Sequence, residues 1–239
     1  MSTVGKDQLI AGLWRNHLLE DLCWFRADEG VVSYKQTKWR APTWSWASIN
    51  GTVWASLTYG NHRHCPGWRL HSKIDSIDVK SRPSGELEHA SLRIRCRPIS
   101  GIMRVDKDIR RYVEVRGTFN FINSEVQMHA TFDEKSPRLA VDIDDPPWEE
   151  LRSLSLVVIQ ECRHEANFDG CDTKIPEDQN DKSPKFEPTS TVEGLLLVLQ
   201  SGYQDVYQRV GFFNVLGVES VTEILREHEA AENAVITLI

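Results

Sequence analysis

No apolar run in this 239-residue chain approaches the roughly 20 residues that a helix needs to cross a bilayer, so a helical membrane span is excluded. Basic residues are also in short supply, with 28 Lys and Arg against 35 Asp and Glu and a formal charge of −7. A nucleic-acid surface requires clustered cations that displace counterions, so neither nucleic acid nor membrane is expected as a partner. Met1 to Gln8 lacks the apolar stretch behind a basic end that marks a secretory signal, and the expected compartment is cytoplasmic. Asn50-Gly51-Thr52 fits the glycosylation acceptor pattern, but in that compartment it does not meet the modifying enzymes. Five cysteines, Cys23, Cys65, Cys96, Cys162 and Cys171, form no C-x-x-C pair, which suits reduced thiols better than a disulfide framework. A G-x-S-x-G elbow, a Walker A loop and G-x-G-x-x-G are missing too. Triads assemble in space rather than in sequence, yet these absences lower the expectation of an enzyme, and no cofactor is expected.

Tryptophan is what the chain has in excess, and it is concentrated. Seven of the eight lie within the first 68 residues, three of them in Trp39-Arg40-Ala41-Pro42-Thr43-Trp44-Ser45-Trp46-Ala47-Ser48. Pro42 forbids helix at Ala41, and alternation along an extended path would put Trp44 and Trp46 on one face. Flat indoles could form an exposed platform for a sugar or a peptide. Burial is the favoured reading, because Trp14 and Trp24 offer an apolar surface nearby for Trp44 and Trp46 to cover. Arg40 could then stack on an indole or cap a helix end.

From Asp7 to Phe25 the residues Ile10, Leu13, Trp14, Leu18, Leu22 and Phe25 recur at three- and four-residue spacing, which predicts an amphipathic helix capped by Asp7. After Gly30 the period becomes two. Leu92, Ile94 and Cys96 alternate with arginines, as in a strand with one buried face, and Val113 with Val115 and Leu139 to Ile143 follow the same pattern. The runs Leu154 to Ile159, Leu195 to Leu199 and Val210 to Val215 predict strands covered on both faces. Ser220 to Ala231 predicts a short helix capped by Ser220, with a last strand at Val235 to Ile239. The expected fold is mainly β (α+β), a β-sandwich or distorted barrel with an N-terminal amphipathic helix and a short C-terminal helix. Residues 1–30 are the helical lead-in, and 31–239 are a single β-rich domain with a mobile polar insertion at 163–190.

Three constellations offer metal-ligand chemistry, and each has a plainer explanation. His62, His64 and Cys65, with Cys162, His164 and Cys171, are of the types zinc prefers, but His62 and His64 flank one residue and would point to opposite faces of a strand. A hydrolase built from His62 or His64 with Cys65 rests on proximity alone. His228-Glu229-Ala230-Ala231-Glu232 has Glu232 where a metalloprotease helix needs its second histidine, and reads as a solvated helix face. Asp142, Asp144 and Asp145 could hold a divalent cation, but Pro146-Pro147-Trp148-Glu149-Glu150 reads as a turn and a helix start. No metal is expected.

Arg40-Ala41-Pro42-Thr43-Trp44-Ser45-Trp46-Ala47-Ser48 followed by Gly51 resembles the R-A-P-S-W-S-W-A-S…G segment of fungal heterokaryon-incompatibility (HET) domain proteins. Ala11-Gly12-Leu13-Trp14 with Leu22-Cys23-Trp24 is similar to the A-G-L-W…L-L-W helix of that family, and Tyr207-Gln208-Arg209-Val210-Gly211-Phe212-Phe213 to its late Y-R-R-[VI]-G-x-F strand. The Y-x-A-L-S-Y-x-W-G type signature that opens the HET domain proper has no counterpart here. The resemblance therefore implies the region carboxy-terminal to that domain, a non-catalytic recognition or regulatory part linked to fungal non-self recognition and programmed cell death. Its partner would be another protein or the upstream HET domain. The motif residues Gly12, Leu13, Trp14, Trp24, Arg40, Ala41, Pro42, Trp44, Ser45, Trp46, Ala47, Ser48, Gly51, Tyr207, Arg209, Gly211 and Phe213 are expected to be structural. A sugar- or peptide-binding β module using exposed Trp is the alternative.

Overall fold

A computed structural model describes residues 7–27, 39–55, 67–105, 114–122, 124–133, 151–163 and 190–239. The expected strand at Leu139 to Ile143 lies outside the described residues, as does the polar insertion apart from Arg163 and Ser190 at its two ends. The chain begins with the short strands β1 (Leu9–Ile10) and β2 (Leu13–Trp14), a single helical turn α1 (Leu18–Asp21), and β3 (Phe25–Ala27) paired with β4 (Thr52–Trp54). The strands β5 (Trp68–Leu70), β6 (Lys73–Ser81), β7 (Leu87–Cys96), β8 (Ile99–Val105), β9 (Glu114–Asn120), β10 (Glu125–Phe132), β11 (Leu151–Arg163), β12 (Ser190–Leu199) and β13 (Val206–Leu216) follow. The helix α2 (Val218–Ala230) and β14 (Ala234–Leu238) end it.

The fold is mainly β, and its centre is a closed barrel. β8, β9, β10, β13, β12 and β11 pair antiparallel in that order, and β11 returns to β8, so none of the six has a free edge along its paired length. Met103, Phe119, Met128, Leu156, Leu196 and Phe213 come one from each barrel strand into a single buried cluster, which is the barrel interior. Val221, Ile224 and Leu225 of α2 join the same cluster. Gly101 and Gly194 make room for it, because a Cβ at either would meet the ring of Phe119 or Phe213.

A second core lies outside the barrel wall. Val157, Ile159, Leu195, Leu197 and Phe212 point outward from β11, β12 and β13 and are covered by Leu18, Leu22, Trp24 and Trp44 from the first quarter of the chain. A wing of β14, β7 and β6, joined to β13 by a parallel pairing at Val206 and Tyr207, closes the other side with Leu92, Ile94 and Ile236. Double coverage explains why Leu154 to Cys162 is buried at every position, as the mostly apolar run Leu154 to Ile159 predicts for its own span. The closing helix and strand lie close to their predicted spans, although Gly217 rather than Ser220 stands at the helix N-terminus.

The expected helix over Asp7 to Phe25 does not form. Ala11 and Gly12 both take positive φ, 48° and 90°, and turn the chain back in a two-residue hairpin between β1 and β2. Asp7 caps no helix; its carboxylate accepts from the backbone N–H groups of Gln8 and Asn16, while that of Asp21 accepts from Trp14 N–H. The apolar spacing is real but serves the outer core, since Ile10, Leu13, Leu18 and Leu22 are buried there while Trp14 is exposed. Nor is the tryptophan phrase extended throughout. Ser45 Oγ accepts from Ala47 N–H at 3.0 Å and caps a 3-10 turn over Trp46–Ser48, so Trp44 is fully buried and Trp46 is 42% exposed.

Candidate functional site

The three motif-bearing segments meet where the first quarter of the chain lies on the outer wall of the barrel. The meeting point is Arg209. A register shift opposite Leu196 and Leu197 makes Val210 the extra residue of a bulge, which turns Arg209 to the outer face while Gly211 and Phe213 face inward. Its guanidinium, fully buried, donates through Nε to Asp133 Oδ2 at 3.0 Å and through Nη2 to Asp133 Oδ1 at 3.2 Å. It also donates to the carbonyls of Leu22 and Trp24, each at 2.5 Å, and stacks 3.5 Å from the Trp24 ring centre. Burial pushes its pKa down and the Asp133 carboxylate opposes that, but a guanidinium stays a cation either way.

The other motif residues tie the same joint. Trp24 Nε1 donates to the Trp44 carbonyl at 3.0 Å, Ser45 Oγ donates to the Ala11 carbonyl, and Trp46 Nε1 donates to the Gly12 carbonyl at 2.8 Å. The Trp46 indole lies so close over Gly12 that a Cβ there would stand 3.0 Å from Nε1. Arg40 caps the far end of the 3-10 turn, donating to the Ala47 and Ile49 carbonyls and to Asn50 Oδ1, the second of its two expected roles. Thr43 N–H donates to the Ile239 carbonyl, and Thr43 Oγ1 accepts from Arg209 N–H at 3.1 Å. Gly211 is required where it passes β10, because a Cβ would meet the Thr131 carbonyl oxygen at 2.4 Å. Ala41 and Pro42 are buried, Ser48 Oγ donates to the Ser45 carbonyl, Tyr207 packs at the margin of the outer core and Gly51 is exposed. Burial thus holds for Trp24 and Trp44, whereas Trp14, Trp39, Trp46 and Trp54 stand 47%, 54%, 42% and 54% exposed.

Two buried polar groups interrupt β11 that sequence reasoning passed over. An extra residue at Ile159 sends Gln160 outward, where its amide donates to Glu193 Oε2 at 2.6 Å and Trp68 Nε1 donates to its oxygen at 3.4 Å. Glu161 turns to the other face and pairs with His71 Nε2 at 2.6 Å. Burial pushes the Glu161 carboxyl up, but the His71 bond, with Arg163 and Arg69 beside it, brings it below its ordinary value. The His71 ring meets the His228 ring edge-on at 5.1 Å between centres. His228 is therefore buried, contrary to the solvated helix face expected for it, and Nδ1 has no partner among the described residues. Burial first, then His71 and Arg97, lower its pKa to about 4. The signal in the sequence was a Gln-Glu pair inside an otherwise apolar run, since such residues are buried only when partnered.

His62, His64, Cys65, His164 and Cys171 lie outside the described residues, as do Asp142, Asp144 and Asp145 with the proline turn after them. Cys162 is buried, and so is Cys23, whose thiol burial and the Glu193 charge push well above its ordinary pKa. Among the described residues, no group of three or more His, Cys, Asp or Glu is placed to hold a metal ion. Beside the motif junction an open groove of about 560 Å³ runs between the β1–β2 hairpin, Arg40 to Ala47 and the overhanging β6–β7 hairpin.

No family model, curated protein or solved structure matches this chain.

Proposed function

We propose that this chain is a non-catalytic recognition or regulatory module of the kind that follows the HET domain in heterokaryon-incompatibility proteins, acting in the cytoplasm in non-self recognition and the cell death it triggers. One observation supports this above the rest: segments of resemblance that begin as far apart as Ala11 and Tyr207 bond to one another in a single joint around Arg209. Its partner is another protein or the upstream HET domain, and the groove beside the joint is the surface offered. The test has two arms. A screen of the purified chain for hydrolase and NAD-cleaving activity should show no turnover above buffer, and a separately expressed HET domain should be retained by the immobilised chain. Robust catalysis that a point substitution abolishes would overturn the reading.

The exposed indoles of Trp14, Trp39, Trp46 and Trp54 favour a second reading, a sugar-binding module in which flat rings stack on pyranose faces. Protection of those indoles from acrylamide quenching by a glycan would select it over the first.

A further inference from the structure

We propose that the groove beside the motif junction takes an extended peptide strand in which apolar side chains alternate with carboxylates. The inference rests on the recognition reading only in taking the occupant to be protein. Ile10, Ile77, Val79 and Leu87 give the groove an apolar lining, and Arg15 and Arg40 supply guanidinium groups on the hairpin side. Among the described residues that line it, none is acidic, although Asp and Glu outnumber Lys and Arg by 35 to 28 in the chain as a whole. The carboxylates nearest in sequence are occupied elsewhere. Asp7 accepts from the Gln8 and Asn16 backbone, Glu86 pairs with Arg82, and Asp75 and Asp78 of β6 pair with Arg95 and His89. Two guanidinium groups and no described carboxylate line the groove, a charge placement that suits an anionic occupant.

The two walls decide that the occupant is extended. The apolar wall belongs to the β6–β7 hairpin, with Ile77, Val79 and Leu87, and the two guanidinium groups to the opposite wall, with Arg15 and Arg40. A strand lying between these walls has a period of two, which turns its apolar side chains to Ile77, Val79 and Leu87 and its carboxylates to Arg15 and Arg40. Ile77, Val79 and Ser81 alternate on β6 toward the groove in the same way. Arg40 is held in place by its bonds to the Ala47 and Ile49 carbonyls, so little side-chain freedom is lost when it meets a carboxylate.

The test uses the full chain and a fluorescein-labelled octapeptide of alternating leucine and glutamate, followed by fluorescence anisotropy. Saturable binding is expected at about 0.1 M salt, weakening as salt is raised. Substituting Lys for each Glu, or Ser for each Leu, should weaken it by about tenfold or more. Arg15→Glu and Val79→Asp, both at exposed positions that leave the cores untouched, should each do the same to the Leu-Glu peptide. The proposal is overturned if the peptide does not saturate by about 1 mM, if Glu and Lys peptides bind alike, or if neither substitution matters. Failure of the peptide with retention of the HET domain would end the groove assignment alone, and groove binding accompanied by turnover would end the non-catalytic reading alone.

Discussion

Arg209 is a single side chain that answers five acceptors: both oxygens of Asp133, the Leu22 and Trp24 carbonyls and the face of an indole. Such a group stabilises less by its net attraction than by the cost of removing it, because the buried Asp133 carboxylate and two buried carbonyls would each lose a donor without it. Arg209→Ala is expected to lower the unfolding free energy by about 3–5 kcal/mol, measured by urea titration at neutral pH. Arg209→Lys should recover only part of that loss, since an ammonium cannot bridge both Asp133 oxygens while reaching two carbonyls. Equal stability of the lysine variant and the parent would show that charge alone, and not the planar fork, holds the joint.

At the scale of elements, α2 depends on a neutral histidine. Unfolded, His228 takes a proton near pH 6.5; folded, only near pH 4, because burial and the neighbouring His71 and Arg97 disfavour the cation. Between those values the unfolded chain binds the extra proton, so stability falls as pH drops through that window, by on the order of 2 kcal/mol. Glu161 acts in the same direction at lower pH, its carboxyl being held below the ordinary value of 4.5. His228→Leu keeps the ring's apolar contacts without the titration, and its urea midpoint should fall less than the parent's between pH 7 and pH 4.5. Parallel losses in the two proteins would place the pH sensitivity elsewhere. The strands of the sheet were legible in the chain because one covered face leaves a period of two, as in Leu92, Ile94 and Cys96, and two covered faces leave a mostly apolar run, as in Leu154 to Ile159. The first helix was misread because Ile10, Leu13, Leu18 and Leu22 can meet one surface from a hairpin and a turn as well as from a helix, and the turn is set by positive φ at Ala11 and Gly12. Of the candidate site, the motif residues were legible as a resemblance. Their partners were not: Asp133 and the Leu22 carbonyl reach Arg209 only through strand closure and a bulge, which no local pattern encodes.

The whole molecule has two cores with a shared wall, and the wall gives them unequal standing. β11, β12 and β13 contribute one face to a barrel whose strands are all paired and the other to a core whose cover, residues 7–27 and 39–54, forms only two-stranded sheets of its own. The barrel can persist without that cover more readily than the cover can persist without the barrel, because closed pairing satisfies its backbone independently. Arg209 ties the Leu22 and Trp24 carbonyls of the cover to Asp133, so its loss should open the cover locally. Native-state hydrogen exchange followed by mass spectrometry should then show Arg209→Ala speeding exchange in peptides from residues 7–27 by about a hundredfold or more, with β8, β9 and β10 remaining the slowest. The groove has one wall in the cover and one in the β6–β7 hairpin, so binding of the Leu-Glu peptide should weaken in the same variant although Arg209 does not line it. If the barrel strands lose protection together with the cover, the two cores unfold as one unit, and the groove is then a fixed surface rather than one whose shape depends on a separable cover.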